Sequence, residues 1–137
     1  MLKNRSMPES VVIPEIPYPN VPQAADWLCK CFGFKERLRI ANHRSQLTFG
    51  QGSIIVTTQG ETPIASHTIM VRVTDVDSHF AHVKKLGVRI LNPPTDYPYG
   101  ERQYIVEDLA GHRWTFSQTT KDVDPSEWGG ELLDHRL

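Results

Sequence analysis

Two stretches of the chain carry the same succession of hydrophobic and polar patterns. In residues 11–16, Val11, Val12, Ile13 and Ile16 flank Pro14 and Glu15, which predicts a short strand. Pro14 has no N–H for a ladder, so the strand belongs at a sheet edge. The proline-rich turn Tyr18-Pro19-Asn20-Val21-Pro22 leads into a predicted helix over about 23–32, with Asn20 or Pro22 as start signal and Gly33 as stop. Ala24, Trp27, Leu28 and Cys31 fall on one helical stripe. Strands are predicted at about 34–40, 45–50 and 53–58, the last two joined at Gly50-Gln51-Gly52. The plan then recurs: a strand over 67–74, a cap at Asp75-Val76-Asp77, and a helix over about 77–86 that buries Phe80, Val83 and Leu86 and stops at Gly87. Strands follow at about 88–91, 102–107 and 112–117, with Asp108-Leu109-Ala110-Gly111 turning the final hairpin.

The register of the two halves agrees. Asn20 lies 13 residues before Gly33 and Asp75 lies 12 before Gly87. Gly52-Ser53-Ile54-Ile55-Val56 answers Gly111-His112-Arg113-Trp114-Thr115, and about five extra residues of the second half fall in a loop over 92–100. The expected fold class is α+β: two tandem βαβββ units forming a curved, mixed, eight-stranded sheet around a cleft, with the helices outside. One domain over 1–137 is expected to hold unit one at about 11–60, unit two at about 67–118 and a C-terminal tail over 119–137. Within the tail, Asp124-Pro125-Ser126-Glu127 begins a short helical turn and Trp128 is a packing anchor, in cis or on a partner chain.

Composition narrows the classes. The 137 residues suit one domain, and 15 Lys plus Arg against 16 Asp plus Glu leave a net charge of −1. That balance supplies no electrostatic footprint for nucleic acid or anionic membrane. No apolar run reaches the roughly 18 residues of a membrane span, and the first residues have no apolar signal core. A cytoplasmic protein is expected. Cys29 and Cys31 point about 200° apart on a helix, so they read as two reduced thiols.

Asp26-Trp27-Leu28-Cys29-Lys30-Cys31-Phe32-Gly33-Phe34, Val73-Thr74-Asp75-Val76-Asp77, Gly100-Glu101-Arg102-Gln103-Tyr104 and Glu107-Asp108-Leu109-Ala110-Gly111-His112-Arg113-Trp114 carry a resemblance. With the repeat, they resemble the vicinal oxygen chelate superfamily of glyoxalase I, extradiol dioxygenases, fosfomycin-resistance transferases and bleomycin-resistance proteins, over roughly residues 11–118. The bleomycin-resistance-like branch is the nearest in look. The resemblance implies a homodimer that binds a small molecule. In metal-dependent members four side chains, typically His, Glu or Gln, hold Mn, Fe, Ni or Zn, which polarises vicinal substrate oxygens. Mapped by register, the four positions here are Ile13, Val56, Thr115 and Thr68 or its neighbour His67; a two-residue shift of the first strand brings in Glu15. This set is too poor in ligands, and no cofactor is expected, which places glyoxalase, dioxygenase and transferase chemistry in doubt.

Strand parity then assigns a cleft lining. Arg113, Thr115 and Ser117 point inward, as do Gln103 and Ile105, together with Ile54, Val56 and Thr58 from unit one; Ile69 and Val71 lie near His67. This mostly apolar wall with an amide, hydroxyls and a guanidinium suits a flat apolar or aromatic molecule. Tyr97 and Tyr99 either stack on that molecule as a lid or pack their own loop down. Arg102 either pairs with a carboxylate or contacts an anion. His67 is the candidate catalytic base, against a plain hydrogen-bonding role at the rim. His79 and His82 read as a surface pair and His112 as a structural histidine on the helix side. Capture of an apolar or aromatic ligand without metal is the leading expectation, with Glu15, Val56, His67, Tyr97, Tyr99, Arg102, Gln103, Ile105, Arg113 and Thr115 as its contacts. The alternatives are a lyase, isomerase or dioxygenase that uses His67 as base or ligand, and an interaction module that uses the Trp128 tail.

Overall fold

The computed structural model describes residues 4–59 and 67–131. The end of unit one near residue 60 and the tail beyond residue 131 lie outside the described residues. Elements run β1 (Glu15–Tyr18), α1 (Val21–Phe32), β2 (Lys35–Ile40), β3 (Arg44–Phe49), β4 (Gly52–Thr58), β5 (Thr68–Arg72), α2 (Val76–Lys85), β6 (Ile90–Tyr97), β7 (Glu101–Glu107) and β8 (Arg113–Thr119), then a 3-10 turn over Pro125–Trp128. The expected βαβββ succession is therefore present twice. The strands form two four-stranded sheets, ordered β1-β4-β3-β2 and β5-β8-β7-β6, with the outer pairs β1/β4 and β5/β8 parallel. The chain divides into two compact units, the first holding residues up to His67 plus Leu109–His112 and the second Thr68–Asp108 plus residues from Arg113 onward.

In the first unit the register separates two faces. Ile16, Tyr18, Val56, Ile54, Leu47 and Ser45 share one face, and Glu15, Pro17, Ile55, Ser53, Gln46 and Thr48 share the other. The first set meets α1, whose buried side chains are Val21, Ala24, Ala25, Leu28, Cys31 and Phe32. Asn20 caps α1 by accepting the Gln23 N–H at 3.0 Å, and Gly33 closes it in the left-handed conformation at φ 91°. The first strand is displaced from its expected place: Val11 and Val12 are exposed, and Ile16 and Tyr18 provide the buried alternation. Edge position explains why Pro17 is tolerated in β1.

The opposite face of the first sheet is covered by the chain's own N-terminal segment. Gln46 Nε2 donates to the Ser6 carbonyl at 2.8 Å, and Arg37 donates to the Arg5 carbonyl and to Gln46 Oε1, each at 2.7 Å. Ser10 Oγ donates to the Gln51 carbonyl at 2.7 Å and lies 2.8 Å from Ser53 Oγ. Pro8 is buried under this strap. Ile55 is consequently as buried as its neighbours Ile54 and Val56.

In the second unit Tyr104, Val106, Trp114 and Phe116 form the face under α2. Phe80 meets the Tyr104 ring edge-on, and His79 lies over Phe116 at 4.1 Å with its Nδ1 2.6 Å from the Tyr104 hydroxyl. His79 is thus a sheet-packing residue rather than half of a surface pair; His82 is exposed. Leu86 lies beyond the helix end and is exposed, while Val76 and Val83 are the buried positions of α2. The loop expected over 92–100 is mostly strand. β6 is an edge strand, and register shifts around Pro93 and Pro94 accommodate two residues that cannot donate to a ladder. No helix among the described residues is long and apolar enough to cross a membrane.

Candidate functional site

The face of the second sheet that points away from α2 carries the densest polar and aromatic convergence. Register places Arg113, Thr115 and Ser117 of β8, Glu101, Gln103 and Ile105 of β7, Met70 and Arg72 of β5, and Tyr97 of β6 on it. Tyr97 and Tyr99 stack with centroids 5.4 Å apart and planes 11° apart. Trp128 comes back from the tail to meet Tyr99 at 5.4 Å and is 48% exposed, so the tail anchors in cis. Together these rings form an aromatic shelf.

A line of hydrogen bonds runs along the shelf. The Tyr99 hydroxyl donates to Gln103 Oε1 at 3.1 Å, Gln103 Nε2 donates to Ser117 Oγ at 3.0 Å, and the Ser117 hydroxyl donates to Glu101 Oε1 at 2.7 Å. Gln103, Thr115 and Ser117 are buried, whereas Tyr97, Tyr99 and Glu101 are half-buried and Arg113, Arg72 and Met70 are exposed. Burial raises the Tyr99 phenol above its ordinary value, and Tyr97 and Glu101 add to the rise, which keeps the hydroxyl a donor. The tail that brings Trp128 here is held at Gly100, whose φ of 82° no side chain adopts easily. Its carbonyl accepts the Thr120 N–H at 2.8 Å.

The expected contacts divide among several places. Tyr97, Tyr99, Gln103, Ile105, Arg113 and Thr115 share this face. Arg102 does not: it projects to the α2 side, where it pairs with Asp77 at 3.0 Å and Asp96 at 3.2 Å. Val56 is fully buried on the α1 side of the first sheet with Ile54, so neither lines an open face; Thr58 shares that parity. Ile69 and Val71 pair with Trp114 and Phe116 on the α2 side, and Met70 takes the outward position. Glu15 belongs to the first unit and pairs with Arg44.

His67 is exposed and precedes β5, and its backbone N–H donates to His112 Nδ1 at 2.9 Å. His112 is buried, with Nε2 2.9 Å from the Pro17 carbonyl and its ring edge against Tyr18. One ring nitrogen accepting and the other donating fixes the Nε2–H tautomer and gives His112 the structural role read from its strand parity.

Glu101, Met70, Arg72 and Trp128 are the members of this face that the sequence did not assign to a lining, whereas Ser117 was assigned to it. Glu101 carries the same strand parity as Gln103, and that is the signal that could have found it.

The divalent metal implied by the resemblance does not fit these residues. Ile13, Val56, Thr115 and Thr68 or His67 offer at most one imidazole, and among the described residues no three His, Cys, Asp or Glu side chains converge. A cavity of about 240 Å³ lies at the end of the first sheet, lined by Gly33, Lys35, Thr48, Phe49 and Gly50. It offers one cation and no converging polar set, so the tyrosine–tryptophan face is the stronger candidate.

The fold is shared with known proteins. The family model described as Glyoxalase/Bleomycin resistance protein/Dioxygenase superfamily matches residues 11–116. An uncharacterized protein of Mycobacterium bovis is 33% identical over 78 residues, which are 57% of this chain and 49% of that protein. The chain spans about half the length of the curated relatives it matches. The crystal structure of TioX from Micromonospora sp. ML1 is 35% identical, with a TM-score of 0.73 over 80% of this chain and 98% of TioX. TnmS3, an antibiotic binding protein from Streptomyces sp. CB03234, shares the fold at 22% identity, with a TM-score of 0.67 over 78% of this chain and 93% of TnmS3.

Proposed function

We propose that this chain, which belongs to the Glyoxalase/Bleomycin resistance protein/Dioxygenase superfamily, captures a flat aromatic or apolar small molecule on the face of its second sheet that points away from α2 and releases it chemically unchanged. The observation that carries this is the shelf of Tyr97, Tyr99 and Trp128 beside the hydrogen-bonded line Gln103, Ser117 and Glu101. Stacked rings beside a few oriented polar groups suit a planar molecule, and each stacked aromatic contact adds about 0.5–1.5 kcal/mol beyond burial. TnmS3, which shares the fold, is an antibiotic binding protein, and this fits capture of a small molecule. Capture requires no metal, and the donor set described above offers none a place. The working form is a homodimer, as the family resemblance implies; light scattering that returns one chain mass would contradict the dimer.

Equilibrium dialysis tests capture directly. EDTA-treated protein is dialysed against acridone, a neutral tricyclic probe, and the probe is recovered for mass spectrometry. Saturable retention with one probe per chain and intact recovery is expected, reduced at least fivefold by Trp128→Ala. No retention, or conversion of the probe by the metal-stripped protein, overturns capture.

A further inference from the structure

We infer that the captured molecule presents a hydrogen-bond donor, above all a protonated ring or amine nitrogen, and that Glu101 is the group that selects it. This rests on the capture face proposed above and names the chemical class it takes. The polarity of the hydrogen-bond line carries the inference. Ser117 has a single hydroxyl proton, and it goes to Glu101 Oε1; Ser117 therefore accepts from Gln103, whose amide must present its nitrogen there and its oxygen to Tyr99. Every donor in the line is directed toward the carboxylate. The line ends in an acceptor.

A carboxylate has about four acceptor positions, and the Ser117 hydroxyl occupies one at 2.7 Å. Among the described residues no Lys, Arg or His forms an ion pair with Glu101, although six other ion pairs are formed. The half-buried Glu101 lies opposite Tyr97 in the β6/β7 register, at the foot of the aromatic shelf. Ring faces carry negative charge density and attract cations, so shelf and carboxylate favour the same ligand charge. Two cations lie in the neighbourhood: Arg72 on β5 across Ser117, two strands from β7 and at least about 10 Å away at the usual strand spacing, and Lys121, exposed in the tail beside Gly100. Neither forms an ion pair with Glu101, so its carboxylate keeps its charge for a ligand.

The test compares three tricyclic probes of similar size: 9-aminoacridine as cation, acridone as neutral molecule and anthracene-9-carboxylate as anion. The wild-type protein should bind the cation about tenfold more tightly than acridone, as a charge-assisted hydrogen bond implies, and the anion most weakly. Glu101→Gln keeps an acceptor for Ser117 and should bring the cation within about threefold of acridone. Raising salt on the wild-type protein gives a variant-free readout, because only the cation's affinity should fall. Equal affinity for all three probes, tightest binding of the anion, or a Glu101→Gln profile identical to wild type overturns the selection by Glu101 while leaving capture standing. Failure of all three probes to bind overturns capture and the selection with it.

Discussion

Substituting Gly100 by alanine tests whether the tail is locked beside the aromatic shelf. Gly100 and Gly50 both have positive φ, 82° and 56°. An added Cβ at Gly50 meets nothing within 4 Å, whereas at Gly100 it would lie 2.4 Å from the Lys121 carbonyl oxygen and 3.0 Å from Val123 Cγ2. The left-handed conformation alone costs an alanine about 1 kcal/mol. The clash at Gly100 is with backbone, so it cannot be relieved by a rotamer change, and overpacking of this kind adds about 2 kcal/mol. The expected totals are about 1 kcal/mol for Gly50→Ala and about 3 kcal/mol for Gly100→Ala. With an m-value near 2 kcal/mol/M, the urea midpoints fall by about 0.5 M and about 1.5 M. Gly100→Ala should also weaken acridone retention, because residues 119–123 must move and Trp128 follows them. Midpoints that agree within about 0.3 M would refute the close approach of the tail to Gly100.

Three further outcomes follow from the packing. Asp108→Ala removes the carboxylate that accepts the buried Trp114 indole N–H at 3.0 Å; a loss of about 1–3 kcal/mol is expected in urea titration, and Asp108→Asn should cost less than half as much. Gln46→Ala removes the clamp on the N-terminal strap, so limited proteolysis should cut within residues 4–12 faster than in wild type, and an unchanged rate would contradict the strap. Asp75 caps α2, and its carboxyl is held below its ordinary value of 3.8 by the Ser78 backbone N–H and then the Ser78 hydroxyl. The cap therefore stabilises fully above that ordinary value and is lost as pH falls through the lower folded value. The Tm difference between wild type and Asp75→Ala should hold steady from neutral pH and shrink in acid below the ordinary carboxylate range; a constant difference at every pH would contradict it.

The legible parts of the fold were those whose letters alternate between apolar and polar side chains. Trp114 and Phe116 alternate with Arg113, Thr115 and Ser117, so β8 shows in its letters which residues face α2. Ile54-Ile55-Val56 carries no such alternation: α1 covers one face and the strap the other, and aliphatic side chains serve both, which hides the parity. That is why Val56 was assigned to an open face. Pro93 and Pro94 concealed β6, since the tolerance of prolines depends on an edge position that only the assembled sheet defines. Arg102 was recoverable: it neighbours Gln103 and so must face the other way. Trp128 could be placed only by the tail's return to Gly100, a contact between distant residues that no local pattern encodes.

The most direct measurement of the central claim is an amide and indole chemical-shift map of the protein titrated with acridone. Capture on the second sheet predicts saturating shifts at Gln103, Thr115, Ser117 and the Trp128 indole N–H, with Gly33, Lys35 and Gly50 unmoved. Shifts confined to those three residues of the first unit, or none at saturating probe, would contradict it.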